Sequence, residues 1–163
     1  MENKYWGEVQ EDWAGFSADK RVVLPYFDKK EISIFLGEEF DEDGEEIENP
    51  PSNKKLSDYE MVFRLFEEKF ETLFIEIKRK MFERYCKLYA KYYEDSTKSG
   101  EEPLNITDED KHFEYMKEIN LIRVLDNGVI KIEIFYKLDE EHGAEIKIKN
   151  NKIADIGGIS ETN

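Results

Sequence analysis

The feature that constrains this chain most is a helical period through its middle. From Tyr59 to Tyr92, apolar side chains recur at every third or fourth residue, in nine steps over 33 residues. The mean step of about 3.7 residues matches one face of an α-helix. The period therefore predicts a long amphipathic helix that buries its apolar stripe against a second layer. The stripe consists of Tyr59, Phe63, Phe66, Phe70, Leu73, Ile77, Met81, Tyr85, Leu88 and Tyr92.

The start and the length of this helix can also be predicted. Ser57 and Glu60 have the Ser-x-x-Glu spacing of a capping box, so we expect the helix to begin at Ser57. An unbroken helix from Ser57 to Glu94 would be roughly 55 Å long, whereas a globule of this size has a radius of gyration of about 15 Å. We therefore expect a kink or break within residues 67–72, although no Pro or Gly marks it.

The C-terminal segments alternate between apolar and polar residues, as half-buried strands do. Residues 120–126, 129–138, 144–149 and 152–157 are predicted to form a four-stranded antiparallel meander. If residues 139–143 form the central connection, Leu138 faces Ala144. This register also places Lys137 opposite Glu145 and Glu133 opposite Lys149, as favourable charge pairs.

The rest of the chain reads as strands, loops and a short helix. Residues 21–27 and 31–36 suggest a hairpin connected by Asp28, Lys29 and Lys30, with Pro25 placing the first strand at an edge or a bulge. Residues 94–106 are polar and are interpreted as a mobile loop, and a short helix is expected from Thr107 to about Glu118. The prediction is a single α+β domain over 1–163, with the long helix and the short helix on one face of an antiparallel sheet.

Composition restricts the class of partner. The chain has 39 acidic and 24 basic residues, a net charge of −15, which argues against nucleic acid and favours a basic protein. No apolar run is long enough to span a membrane and no signal peptide is evident, so a cytoplasmic location without membrane association is expected. The single Cys86 permits neither an internal disulfide nor a pair of thiolates for zinc, and no cofactor is expected.

An acidic loop, residues 37–56, carries eight acidic residues between positions 38 and 48. One interpretation is a docking surface for a basic partner, and another is a solvated loop without a partner. A calcium loop starting at Glu39 is disfavoured, because Pro50 stands where a bidentate Glu is required. The candidate contact residues are Glu38, Glu39, Asp41, Glu42, Asp43, Glu45 and Glu46.

Two further segments have alternative interpretations. Basic residues from Lys78 to Lys91 lie among tyrosines and superficially resemble a nucleic-acid-binding helix, but cations near a helix C-terminus and tyrosines in a buried stripe explain them better. Asp139, Glu141 and His142 place two carboxylates near an imidazole, which is the basis of an enzymatic alternative. Since no nucleophile or metal-binding motif accompanies them, we expect no enzyme activity.

The segment Leu138-Asp139-Glu140-Glu141-His142-Gly143 resembles the C-terminal W-D-x-E-H-G motif of an uncharacterised bacterial domain family. Asp139, Glu141, His142 and Gly143 match the motif, whereas Leu138 replaces the tryptophan. The resemblance implies an α+β fold and no known enzyme activity, and it leaves the role of these residues open. A looser similarity connects the chain to acidic immunity proteins of bacterial toxin systems.

Together these features predict a non-catalytic acidic binding protein, similar to an immunity protein or antitoxin, that neutralises a basic partner such as a toxin domain. The alternatives are a metal-dependent or hydrolytic module that uses Asp139, Glu141 and His142, and a structural domain. The oligomeric state is not specified by the sequence.

Overall fold

A computed structural model describes residues 1–28 and 30–162 and confirms the α+β class. Eight strands form one sheet whose spatial order follows the order of the chain. The strands are β1 (Glu2–Asn3), β2 (Gly7–Asp12), β3 (Gly15–Val22), β4 (Ile32–Leu36), β5 (Glu118–Leu125), β6 (Val129–Phe135), β7 (Ala144–Lys149) and β8 (Lys152–Gly157).

All the α-helices of the described residues lie between β4 and β5. They are α1 (Asn53–Glu68), α2 (Phe70–Leu88), α3 (Ala90–Tyr93), α4 (Ser96–Ser99) and α5 (Glu109–Phe113). Because this helical crossover joins them, β4 and β5 pair in parallel, whereas the other neighbouring strands pair antiparallel. The parallel pair is a feature that the predicted antiparallel sheet did not include.

The predicted break in the long helix is confirmed, since α1 and α2 are separated at Lys69. The predicted start at Ser57 is wrong. The helix begins four residues earlier at Asn53, where the Ser52 side chain accepts a hydrogen bond from Lys55 N at 3.2 Å. The loop that precedes the helix therefore ends at Ser52 instead of residue 56.

The apolar stripe is buried from Tyr59 to Tyr85, as predicted. Its last two members, Leu88 and Tyr92, are instead exposed. Helix α2 ends at Leu88, and Tyr89 and Tyr93 pack against the core in their place.

The C-terminal meander is confirmed, but the predicted register between β6 and β7 is wrong. Ile134, and not Leu138, pairs with Ala144, and Glu133 lies opposite Glu145. Strand β6 ends at Phe135, and residues 136–143 form a longer connection. The shift of four residues keeps every side chain on its predicted face and removes both predicted charge pairs, Lys137 with Glu145 and Glu133 with Lys149. The charge pairs are too weak to determine the register, because such pairs contribute only about 0.2 to 1 kcal/mol each.

The N-terminal hairpin is confirmed in its antiparallel pairing, which joins Val22 to Ile32. Strand β3 ends at Val22 and has a neighbour on each side, so it is not an edge strand. Pro25 lies after the strand and removes no hydrogen bond from it. Of the predicted connecting residues, Lys29 lies outside the described residues.

Two of the predicted loops and helices differ in detail. Within residues 94–106 the chain forms the helical turn α4, and the Glu94 carboxylate accepts hydrogen bonds from Asn105 N at 2.7 Å and Ile106 N at 3.0 Å. The second helix, α5, is shorter than predicted. Its cap is Asp108 instead of Thr107, and β5 begins already at Glu118.

The two faces of the sheet are covered differently. One face forms the main core with α1, α2 and α5. The other face carries a small apolar cluster of Ala14, Phe35 and Leu121. On this face Glu145 was predicted to be exposed, but it is 3% exposed because its carboxylate accepts hydrogen bonds from Ser160 N and Thr162 N in the C-terminal segment.

Candidate functional site

The acidic loop follows β4 and is folded into a compact turn. The Asp41 carboxylate organises it by accepting hydrogen bonds from Asp43 N and Glu45 N, each at 2.9 Å. Backbone hydrogen bonds from Asp41 N to Glu45 O at 2.8 Å and from Ile47 N to Glu39 O at 3.0 Å close the turn. Because the turn is held by its own backbone, its other carboxylates are free to face solvent.

The carboxylates of this loop differ from those on the helices in their charge partners. The seven candidate contact residues are exposed, apart from the half-buried Glu39. Within residues 1–28 and 30–162, none of them forms an ion pair. On α1 and α2, by contrast, four of the seven acidic residues lie within 3.2 Å of a basic side chain of the same helix, namely Asp58, Glu60, Glu76 and Glu83. The loop therefore concentrates acidic side chains that form no ion pair with the described residues, although Lys55, Lys131 and Lys147 line the same cleft.

A cleft of about 730 Å³ lies between this loop and the ends of β4 and β5. Its walls include Glu38, Asp41 and Glu42 from the loop and Lys55 from α1. These strands form the parallel pair, and ligands of open α/β sheets commonly bind beyond the carboxyl ends of parallel strands. The position of the cleft makes the loop one wall of a concave surface beyond the ends of the parallel strands.

The floor of the cleft contains a fixed polar pair. The Tyr59 hydroxyl donates to Asp126 Oδ1 at 2.7 Å, and Lys55 Nζ lies 3.1 Å from Asp126 Oδ2. Burial and the hydrogen bond to Asp126 raise the pKa of Tyr59, whereas the hydrogen bonds from Tyr59 and Lys55 lower the pKa of Asp126 against the effect of its partial burial. Asp126 therefore stays ionised and Tyr59 stays protonated at neutral pH.

The motif turn, residues 138–143, is tied to helix α2 and to its own backbone. Asp139 accepts hydrogen bonds from Tyr89 Oη at 2.8 Å and from His142 N at 3.2 Å. The His142 Nδ1 atom lies 3.0 Å from the same carboxylate, while Glu141 is exposed and bonds to neither residue. Partial burial acts to raise the pKa of Asp139, but the hydrogen bonds from Tyr89 and His142 hold it below its ordinary value.

The backbone conformation and the close packing at position 143 explain why this turn ends in a glycine. Its φ of +63° is a left-handed conformation that glycine adopts without strain. A Cβ atom at this position would lie 2.6 Å from Ile159 Cδ1 and 3.2 Å from Ile134 O. At the start of the same turn, the Leu138 side chain is buried, and the Leu138 carbonyl oxygen accepts a hydrogen bond from the Tyr93 hydroxyl.

The structure does not bring the two candidate regions together. The cleft beside the acidic loop includes Asn127 and Val129 at the start of β6, whereas the motif turn follows the end of that strand. Strand β6 has seven residues, which corresponds to roughly 20 Å. The acidic loop and the motif turn are therefore separate features at opposite ends of one strand.

The buried His112 was not identified as a site residue from the sequence. It is fully buried, its Nε2 atom lies 2.6 Å from the Tyr136 hydroxyl, and its Nδ1 atom has no partner among the described residues. Burial lowers the pKa of His112 to about 4. His112 is neutral at physiological pH and belongs to the core between α2 and the sheet, so no local sequence signal marks it.

The contacts in the basic segment of α2 agree with a structural role for its residues, which the sequence favours over nucleic-acid binding. Tyr85 is fully buried in the stripe, and Arg79 is paired with Glu76 and Glu83. Arg84 Nη1 donates to Ile156 O of β8 at 3.4 Å. Arg79 is thus paired within the helix, while Tyr85 and Arg84 connect the helix to the core and to β8.

Within residues 1–28 and 30–162, no group of three or more His, Cys, Asp or Glu side chains is arranged to hold a metal ion. None of the helices in those ranges combines the length and the apolar character that crossing a membrane requires.

The fold is thus a single mostly antiparallel sheet, covered on one face by a helical crossover, with an acidic loop beside a cleft. The chain belongs to a family described as a domain of unknown function (DUF6985), whose model matches residues 5–162. The match includes both the acidic loop and the motif turn, and it confirms that the chain belongs to an uncharacterised domain family. No curated protein and no solved structure matches the chain.

Proposed function

We propose that this protein is a non-catalytic binding protein whose acidic loop engages a basic protein partner. The observation that carries the proposal is the contrast in charge pairing. Four of the seven acidic residues of α1 and α2 form ion pairs within their own helix, whereas the seven loop carboxylates, which lie within nine consecutive residues, form none among the described residues. Exposed charge of one sign accelerates and selects encounters with a partner of opposite charge.

The conformation of the loop supports the same proposal. The Asp41 carboxylate and the backbone hydrogen bonds fix the turn before any partner binds. A preformed loop loses less conformational entropy on association than a disordered one, so more of its interaction energy contributes to affinity. The adjacent cleft offers a concave surface that could receive a side chain of the partner.

The finer form of the proposal is an immunity or antitoxin-like role, in which the acidic loop neutralises a basic toxin domain of bacterial origin. Its support is the net charge of −15 and the similarity of the Asp139 to Gly143 segment to the bacterial family motif. Toxin domains that act on nucleic acid carry basic surfaces to bind phosphate, and an acidic protein can compete for that surface.

The test is affinity capture with three forms of the full chain as bait. One is the wild type, and one carries Gln or Asn at Glu38, Glu39, Asp41, Glu42, Asp43, Glu45 and Glu46. The matched control carries Gln at seven exposed glutamates elsewhere, namely Glu2, Glu8, Glu31, Glu68, Glu101, Glu102 and Glu140. We expect the wild type and the control to retain the same basic protein and the loop variant to lose it. Equal retention by all three would contradict the proposal.

A second candidate function, a hydrolytic or metal-dependent module, draws on the contact between Asp139 and His142. The carboxylate orients the imidazole through Nδ1, as in general-base pairs. The test is metal analysis of the purified protein together with hydrolytic assays of the wild type and of His142→Ala. Stoichiometric metal, or an activity that His142→Ala abolishes, would establish this function. The absence of both would reject it.

A further inference from the structure

The turn between β2 and β3 presents a large aromatic side chain that the fold does not use as core. Trp13 is 71% exposed, whereas Trp6 is fully buried and donates from Nε1 to Leu56 O at 3.0 Å. The contact that Trp13 makes with another ring is an edge-on packing against Phe35, at 5.5 Å between centroids. Exposed tryptophan is rare on surfaces without a partner and is enriched at the centres of protein interfaces.

The turn that carries Trp13 is rigid. The Asp12 carboxylate accepts hydrogen bonds from Trp13 N at 2.7 Å and from Ser17 Oγ at 2.8 Å. Ala14, the next residue, is buried against Phe35. Trp13 is therefore held in an exposed position by a fixed backbone, and its exposure does not come from a loose loop.

Arg123 fastens this turn to the acidic loop. Its guanidinium, which is 9% exposed, donates from Nη1 to Gly37 O and from Nη2 to Ala14 O, each at 2.9 Å. Next to this bridge, a Cβ atom at Gly15 would lie 3.4 Å from Glu39 Cα. Trp13 and the first carboxylates of the loop therefore belong to one continuous surface.

Among the exposed rings without a cation contact, Trp13 is the most exposed, at 71%. Tyr5, Phe35, Phe74 and Phe113 each have a Lys or Arg of the same chain over the ring, within 5.8 Å of its centroid. Among the described residues, no Lys or Arg side chain lies over the Trp13 ring, although tryptophan binds cations more strongly than the other aromatic side chains. Glu11 and Asp12, both exposed, flank it in the sequence. An aromatic ring among carboxylates is the environment that receives an arginine, since the planar guanidinium stacks on the ring and bonds to carboxylates.

We propose that Trp13 is the anchor of the partner-binding surface and that it receives an arginine side chain of a basic partner. This inference rests on the proposed function, because it names the side chain of the basic partner that the same acidic surface would bind. The loop supplies long-range attraction, which acts equally on lysine and arginine. Trp13 supplies the short-range contact that favours arginine over lysine.

The test uses two labelled probes, a peptide of nine arginines and a peptide of nine lysines, whose binding to the full chain is followed by fluorescence anisotropy at low salt. We expect the wild type to bind the arginine peptide roughly 3- to 5-fold more tightly than the lysine peptide. Trp13→Ala should remove most of this preference, and Trp13→Phe should keep part of it. The matched control is Met61→Ala, because Met61 is equally exposed at 71% on helix α1, and it should keep the full preference.

The outcomes separate this inference from the proposed function. An equal preference in Trp13→Ala and the wild type, or no preference in the wild type, would overturn the role of Trp13. Neutralising the seven loop carboxylates should weaken the binding of both peptides. If that variant binds both as tightly as the wild type, the acidic loop is not the contact surface, whatever the result for Trp13. Trp13→Phe retains an aromatic edge against Phe35, so it keeps the test valid if Trp13→Ala lowers the melting temperature.

Discussion

The acidic loop and the motif turn are each organised by one aspartate, but the two aspartates have different partners. The Asp41 carboxylate bonds to the backbone of its own loop. The Asp139 carboxylate also bonds to Tyr89, the residue that follows helix α2, and to the His142 ring. The first arrangement shapes a surface and leaves its neighbours free, whereas the second ties a turn to the core. This difference underlies our proposal that the loop serves binding, whereas the contacts of the motif turn serve stability.

The largest expected effect concerns the core beneath the motif turn, where His112 lies against Tyr136. The folded pKa of His112 is about 4 and its ordinary value is 6.5, so the unfolded chain binds the proton more readily. Stability should therefore fall as pH falls from 6.5 to about 4. The expected loss is about 3 kcal/mol more for the wild type than for His112→Leu. Urea unfolding at several pH values measures it, and parallel losses in both proteins would contradict the burial of His112.

Gly143→Val should destabilise the protein by about 3 kcal/mol. The variant combines a β-branched residue at positive φ with a Cβ atom 3.2 Å from the Ile134 carbonyl oxygen. Gly44→Val in the acidic loop is the matched control. Gly44 also has a positive φ, of 81°, but an added Cβ meets no atom within 4 Å. We expect the control to cost about 1.5 kcal/mol in thermal or urea unfolding. Equal costs would mean that the motif turn is packed no more tightly than the loop.

Tyr89→Phe should cost about 1 kcal/mol, because it removes one hydrogen bond from Asp139 and keeps the ring. Burial and the bond to Asp139 raise the pKa of Tyr89 to about 12, so the hydroxyl is a donor throughout the neutral range. The matched control is Tyr26→Phe, which removes an exposed hydrogen bond to Glu71 and should change stability by less than about 0.3 kcal/mol. Similar unfolding midpoints for the two variants would remove the distinction between the turn and the surface.

The smallest expected effect on stability is that of neutralising the seven loop carboxylates together. Asp41→Asn keeps the acceptor that shapes the turn, and the other carboxylates have no ion pairs among the described residues to lose. The free energy of unfolding should change by less than about 0.5 kcal/mol, with a slight increase from reduced repulsion. A loss above about 2 kcal/mol in urea unfolding would show that the loop is a structural element like the motif turn.

The periodic parts of the fold could be predicted from the sequence. The stripe from Tyr59 to Tyr85 fixes the buried side of the helices, and its length requires the break at Lys69. The start of α1 could not be predicted in the same way. Ser52 caps the helix without the acidic residue that completes a capping box, while Ser57 has that residue and lies within the helix.

The register of β6 and β7 and the parallel pairing of β4 with β5 depend on contacts between distant residues. Tyr136 faces His112, and Lys137 N donates to Tyr115 O at 3.0 Å, which shortens β6 and moves its register by four residues. Alternation in the sequence specifies the face of each residue but leaves a shift of an even number of residues undetermined.

The candidate site was also predicted in part. The acidic loop is evident from composition, and the glycine at position 143 follows from the need for a positive φ in the turn. The association of Trp13 with the loop was not predictable, because Arg123 lies 109 residues from Ala14 and 86 residues from Gly37 in the chain. Only the folded sheet places the segments around Ala14, Gly37 and Arg123 side by side.

The most direct test of the central claim is the rate of association with a captured basic partner at ionic strengths from about 0.05 M to about 0.3 M, over which the screening length falls below about 10 Å. The wild type and His142→Ala, which changes the motif turn, should show the same steep decrease in rate with rising salt. Neutralising the loop should lower the rate at low salt and flatten its salt dependence. An unchanged rate and slope in the loop variant, or a flattened slope in His142→Ala, would contradict the assignment of binding to the acidic loop and of stability to the motif turn.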